Sequence, residues 1–365
     1  MRKIKSSKTL KNFHSTNIQD CFFTIVIFLI MLIIVSNPKK FTSGTISGLN
    51  LFFYSVLPGL FPFMLLTKLL TEIGFLFKVT SKFNKQTSQI FGTSGVSLYV
   101  FLMSILSGYP IGAKIISDLF ASNQITQTEA RKMSVFCTTS GPIFVVGAVG
   151  TAMFGSMKIG LILYFSHIIS SLLLGIVYNL LNKEKTLFKS IDLLLLNQNK
   201  TNIISTVVSN TINSLFVVGA YITIFYLLTE ILESFKVFSF LTNLTSPALQ
   251  KIGISKNSVN GFFYGLLEVT RGCKILSENI SASSVALCSG ILSFSGCSII
   301  MQSMAFLKTA KIKARNFVFS KCVHALFSML LCFLLIIIFG CWVFDVVYCF
   351  FKLITISFNN CKVLV

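Results

Sequence analysis

The chain has 365 residues, of which 54% are hydrophobic and 12% charged, with a mean hydropathy of +0.82 and a net charge of +20. Soluble domains carry about 25% charged residues, and apolar runs recur here along nearly the whole length, so a water-soluble enzyme built around one core is excluded. The basic excess would suggest nucleic acid on a soluble chain. With no aromatic-interleaved basic motif, it points instead to basic cytoplasmic loops and to anionic lipid headgroups.

In chain order, Arg2, Lys3, Lys5, Lys8 and Lys11 precede the apolar run 21–35. No small-residue cleavage site follows and Ser36-Asn37-Pro38 reads as a turn, so the run is expected to be an uncleaved first span with its N-terminus inside. Further apolar segments fall at 48–66, 95–107, 136–154, 157–181, 203–228, 283–306 and 317–345. A span needs about 20 apolar residues. The segments 95–107 and 259–267 are too short, and each leads through glycine into a short polar-tipped helix, which suits a re-entrant hairpin. The expected fold is an all-α polytopic membrane protein of about seven spanning helices plus two hairpins. Thr126 and Glu129 form a capping-box signature, with Arg131 and Lys132 on the wet face of the helix it starts. Residues 182–202 read as a basic cytoplasmic connector around the short apolar run 193–196. With this layout most basic residues, Lys308, Lys311, Lys313, Arg315 and Lys321 among them, fall on the cytoplasmic side, and the C-terminus falls outside.

Two segments recur across the connector. Leu69-Leu70-Thr71-Glu72-Ile73 matches Leu227-Leu228-Thr229-Glu230-Ile231 at an offset of 158. Gly112-Ala113-Lys114-Ile115-Ile116-Ser117-Asp118 matches Gly272-Cys273-Lys274-Ile275-Leu276-Ser277-Glu278 at an offset of 160, and Ser140-Gly141 is echoed by Ser295-Gly296. Three matches in one order at nearly one offset indicate an internal repeat, and the layout inverts one unit relative to the other, as in secondary transporters. The expected organisation is a cytoplasmic N-terminus and first helix (1–44), a first repeat (45–181, hairpin near 95–121), the connector (182–202), a second repeat (203–345, hairpin near 257–280) and a tail (346–365).

The polar residues cluster at these interruptions. Ser107-Gly108-Tyr109-Pro110 forms the first hairpin tip, where Pro110 stops the helix and glycine allows reversal; it either lines a cavity or packs as a plain turn. Lys114 with Asp118 is an i, i+4 pair, usually a local stabiliser. Thr138, Thr139 and Ser140 precede Gly-Pro and either recap a broken helix or coordinate a solute. Glu268, Thr270 and Arg271 occupy the second tip. A carboxylate at membrane depth costs about 2.5–3.5 kcal/mol, which makes Glu268 a site candidate unless it serves only to pair with Arg271. Ser295 and Gln302 stand at the corresponding break. Together Ser107, Gly108, Tyr109, Pro110, Lys114, Thr138, Thr139, Ser140, Glu268, Thr270, Arg271, Ser295 and Gln302 are the candidate substrate-binding residues.

His167 and His324 read as lone interhelical hydrogen-bonding residues, and the cysteines as small hydrophobes. No nucleophile–base pair or metal-ligand spacing is visible, so an enzyme is not expected, and neither metal nor cofactor is implied beyond a coupling ion such as Na+ or H+.

At S-G-Y-P-I-G-A-K (107–114), C-T-T-S-G-P (137–142), G-L-L-E-V-T-R-G (265–272) and F-S-G-C-S (294–298) the sequence resembles the sporulation integral membrane protein YlbJ family, within the nucleoside-recognition (gate) domain superfamily. The resemblance covers roughly 45–345. It implies a spore-forming bacterium, a multi-pass protein of the cell membrane, a role in spore envelope or cortex formation, and a fold related to nucleoside-transporter gate domains. Two functions follow as expectations: transport of a small polar solute by alternating access, or a non-transporting scaffold for envelope assembly. Membrane lipids, the unidentified solute, spore-envelope proteins and further copies of the chain are the candidate partners; nucleic acid is not.

Overall fold

The computed structural model describes residues 18–73, 80, 82–182, 184 and 203–339, all helical apart from caps and turns. The basic N-terminus, most of the connector and the tail lie outside the described residues. The first apolar run forms α1 (Ile18–Ser36), which ends at the expected turn. Asn37 caps α2 (Pro38–Asn50) by accepting from Lys40 N at 3.4 Å, and Pro38 takes the first helical position, where its missing N–H costs nothing. The chain turns there by 106°.

The segment expected at 48–66 is part of a longer run: α2, then π-helical turns at Leu51–Val56, then α3 (Leu57–Ile73). Proline cannot donate to, and clashes with, the carbonyl four residues back. For Pro58 that carbonyl belongs to Tyr54, inside the π-helical turns, where the ordinary ladder is already replaced. A short amphipathic helix the apolar runs did not announce, α4 (Asn84–Phe91), leads to the first hairpin, α5 (Val96–Ser107) and α6 (Ile111–Ala121). Next come α7 (Gln127–Phe136), an irregular stretch, a π-helix at Ile143–Met153 and the long α8 (Met157–Leu181).

The second half runs α9 (Ile203–Ser234), a second unannounced helix α10 (Val237–Gln250), the hairpin α11 (Lys256–Leu267) and α12 (Val269–Ser277), the broken pair α13 (Ala282–Phe294) and α14 (Gly296–Leu307), and α15 (Ala314–Phe339). Both halves therefore present a long helix, a short one, a hairpin, a broken helix and a long helix.

Among the described residues four helical stretches are long and apolar enough to cross a membrane, or up to six if each bent pair counts as one span. Large apolar side chains such as Ile25, Leu180, Phe319, Leu330 and Ile337 point outward, as lipid contact requires. Polar side chains turn inward instead. Ser166 of α8, Ser289 of α13 and Ser328 of α15 form a ladder of hydroxyls at 3.1 and 2.6 Å, the kind of small polar contact that holds helices together in hydrocarbon.

Two basic residues depart from expectation. Lys132 is buried rather than wet, donating to Asn179 Oδ1 at 3.2 Å and to the Glu184 carbonyl at 3.1 Å. Lys321, expected on the cytoplasmic surface, is fully enclosed within the helical bundle. The capping box at Thr126 is only half formed: Thr126 accepts from Glu129 N at 3.2 Å, but the Glu129 carboxylate turns away to the Ser94 N–H and hydroxyl.

Candidate functional site

The first tip reverses at Gly108, whose φ of +82° suits glycine, before Pro110 caps α6. Gly112 then lets α6 lie against the end of α7, since a Cβ there would stand 1.9 Å from the Cys137 carbonyl oxygen. The tip itself touches the break after α7: a Cβ on Gly108 would meet Gly141 N at 2.6 Å. In the second hairpin Glu268 has extended backbone and caps α12, its carboxylate accepting from Thr270 N at 3.1 Å and Arg271 N at 2.8 Å. Glycines again allow the approach, with a Cβ on Gly272 falling 2.3 Å from Gly265 Cα and one on Gly296 3.0 Å from the Gly265 carbonyl. Each tip is thus seated on backbone near the break that follows it.

These four interruptions converge. One cavity of about 320 Å³ is lined by Ser107, Gly108 and Tyr109 of the first tip, Ser140 and Gly141 of the first break, Glu268 and Thr270 of the second tip, and Ser298 and Gln302 just beyond the second break. Apolar walls come from the long helices, including Leu60, Phe63, Val218 and Ile222. The cavity offers hydroxyls, an amide and one carboxylate within an apolar shell, which suits a small polar solute with a few directed hydrogen bonds. Glu268 is only 7% exposed and makes no ion pair among the described residues; its two backbone N–H donors partly offset the cost of burial.

Ser107, Gly108, Tyr109, Ser140, Glu268, Thr270 and Gln302 are therefore brought together, and the other candidates have different surroundings. Pro110 shapes the turn. Thr138 Oγ1 donates to the Ser134 carbonyl at 3.0 Å, and Thr139 pairs with Ser104 through both its hydroxyl (3.0 Å) and its N–H (2.9 Å), which is the recapping role. Ser295 sits at the break itself with φ +78°. Lys114 binds Asp118 at 2.7 Å, and Lys68 reaches the same carboxylate at 2.9 Å. Arg271 does not pair with Glu268 through its guanidinium. It points to α9, where Nη1 meets Glu230 at 2.8 Å and Nη2 meets Glu233 at 2.5 Å.

Behind the cavity lies a polar cluster that sequence reasoning did not assemble. Lys321 Nζ donates to the Thr138 carbonyl at 2.6 Å and to Tyr109 Oη at 3.1 Å. One turn on, His324 Nε2 donates to the His167 carbonyl at 3.0 Å, and the two imidazole rings lie 4.8 Å apart. His167 Nε2 accepts from Ser140 N at 2.9 Å, so its Nδ1–H donates to Ser293 Oγ at 2.7 Å. The histidines are interhelical, as read from sequence, but they form a pair rather than standing alone. The spacing Lys321–His324 on an apolar helix was the available signal. Among the described residues no group of three His, Cys, Asp or Glu could hold a metal ion.

No protein-family profile matches the chain, and no solved structure matches it. Among curated proteins it is 27% identical over 322 residues to the sporulation integral membrane protein YlbJ of Bacillus subtilis (strain 168), an alignment covering 83% of this chain and 79% of that protein. The likeness supports the resemblance carried by the four motifs and extends it over most of the length. Together with the apolar helices, it makes this a multi-pass membrane protein related to a sporulation protein.

Proposed function

We propose that this relative of a sporulation integral membrane protein acts in spore envelope or cortex formation by moving a small polar solute through the bilayer by alternating access. The observation that carries the reading is the convergence of both hairpin tips and both helix breaks on one cavity. Backbone that leaves the helix at membrane depth is tolerated where it is packed in protein or lines a water-filled space, and the tips and breaks here line a cavity, which supports the reading. The recurring order of elements and the two offset motifs support two inverted repeats, with the first unit starting outside near residue 48 and the second inside near residue 203. Glu268 is the residue suited to a coupling cation or proton, since it lines the cavity and makes no direct ion pair among the described residues.

Uptake by proteoliposomes containing the full chain, assayed with nucleosides, ions and small spore metabolites, tests the proposal. Saturable uptake of at least one solute, abolished by Glu268→Gln at equal protein incorporation, is the expected result. If no solute accumulates while crosslinking in sporulating cells captures envelope proteins regardless of substitutions at the two tips, the chain is a scaffold instead.

A further inference from the structure

A second cavity, of about 240 Å³, opens between α3, α6 and the start of α9, with Thr67, Lys68, Ile111, Lys114, Asp118 and Asn210 in its wall. A hydrogen bond links the walls of the two cavities. Thr67 Oγ1 in the second cavity and Ser107 Oγ in the central one lie 3.3 Å apart. The second cavity is also the side on which the turn after α6 contributes Ser122 and Gln124, the face that the basic residues assign to the cytoplasm.

The repeat says what should stand at the equivalent place in the other half. An offset of 158 places Tyr226 at the position of Lys68, and an offset of 160 places Arg271 at that of Ile111. Ile111 is a buried apolar residue in the wall of the second cavity, whereas the Arg271 guanidinium spans two carboxylates of α9, with the ring of Tyr264 at 5.1 Å and that of Tyr226 at 5.8 Å. We propose that Arg271, held by Glu230 and Glu233, is a latch closing the central cavity on the face opposite the Thr67–Asp118 mouth, so that the structure is open toward one side only. This rests on the central cavity being the solute site. The chemistry suits a device that must open. The three side chains are only partly buried, so the pairs are strong enough to bias a conformational equilibrium but lack the large penalty of separating fully buried charges. The two glutamates of α9 meet one arginine of the hairpin, so the contact joins a long helix to a hairpin tip and breaks when the tip moves.

The test places a reporter cysteine in the central wall, Ile222→Cys, in the full chain, and measures its reaction with the membrane-impermeant thiol reagents MTSET and MTSES in right-side-out and inside-out vesicles. Peptide mass spectrometry separates this thiol from the native cysteines. Labelling is expected from the cytoplasmic side, with labelling from the opposite side rising about tenfold or more in Arg271→Ala and equally in the Glu230→Gln, Glu233→Gln double variant. Arg271→Cys with Glu230→Cys, oxidised to a disulfide, should hold the outer side shut until reduced, and covers the case in which Arg271→Ala does not fold. Reaction from the cytoplasmic side with an outer rate unchanged by every latch variant overturns the latch and leaves the cavity reading intact. A reporter unreactive from both sides in all variants overturns both.

Discussion

Glu268 and Arg271 are three residues apart, and their proximity in sequence suggests a mutual ion pair. The geometry separates them: the carboxylate takes the backbone N–H groups at the start of α12, and the guanidinium takes Glu230 and Glu233. The cap uses the backbone N–H of Arg271, so removing its side chain leaves the cap in place. Glu268→Ala is expected to cost about 1 kcal/mol through the cap. Because the Arg271 charge still acts on the nearby carboxylate, detergent unfolding of the double variant should depart from the sum of the single losses by about 0.5 kcal/mol, far less than a direct ion pair would give. A double variant more stable than either single one would restore the simple ion pair. Lys321 shows the opposite limit of legibility. Its place after a run of basic residues reads as cytoplasmic surface, yet its ammonium reaches the Thr138 carbonyl and the Tyr109 hydroxyl. The one local sign is His324 three residues on along an apolar helix, and without it the lysine reads as the end of a basic loop.

At the scale of elements, the hairpins depend on backbone meeting backbone. Gly112 and Gly272 occupy matching positions, and a methyl group at either would overlap main-chain atoms, the Cys137 carbonyl in one case and Gly265 in the other. Main chain held by two elements cannot retreat as a side chain can. Gly112→Ala and Gly272→Ala are expected to cost about 1–3 kcal/mol each, while Gly147→Ala, with nothing within 4 Å of the added carbon, should be neutral or slightly stabilising. Melting temperatures of the three variants in one detergent would check the ranking, and equal tolerance would argue against tight hairpin seating. The hairpins and breaks were legible because each leaves a mark in the sequence: an apolar run too short to span, followed by glycine, proline or hydroxyls. The amphipathic helices α4 and α10 were not. Asn84–Phe91 and Val237–Gln250 mix polar and apolar residues without a long apolar run, so hydropathy passes over them.

For the whole molecule, the charge distribution sets an expected orientation that reporter fusions can read. Fusions after Lys200 and after Arg315 should both report the cytoplasm and fusions near Lys251 the exterior, and connectors on opposite sides would remove the inverted repeat. The correction at Lys321 subtracts one residue from a strongly asymmetric distribution and leaves that expectation standing. The sequence by itself determined the solvent, the helical class, the places where helices break and the recurrence of one motif set in two halves. All of these follow from composition and short-range pattern, because the bilayer obliges every apolar run to satisfy its own backbone. The tertiary structure decided which polar residues share a space. It drew Ser107, Ser140, Glu268 and Gln302 to one cavity, sent Lys114 to a second and turned Arg271 toward α9. Such choices depend on how long helices pack across sequence separations of a hundred residues and more, and on which face of a tip the neighbouring helix leaves open. No local pattern carries that information.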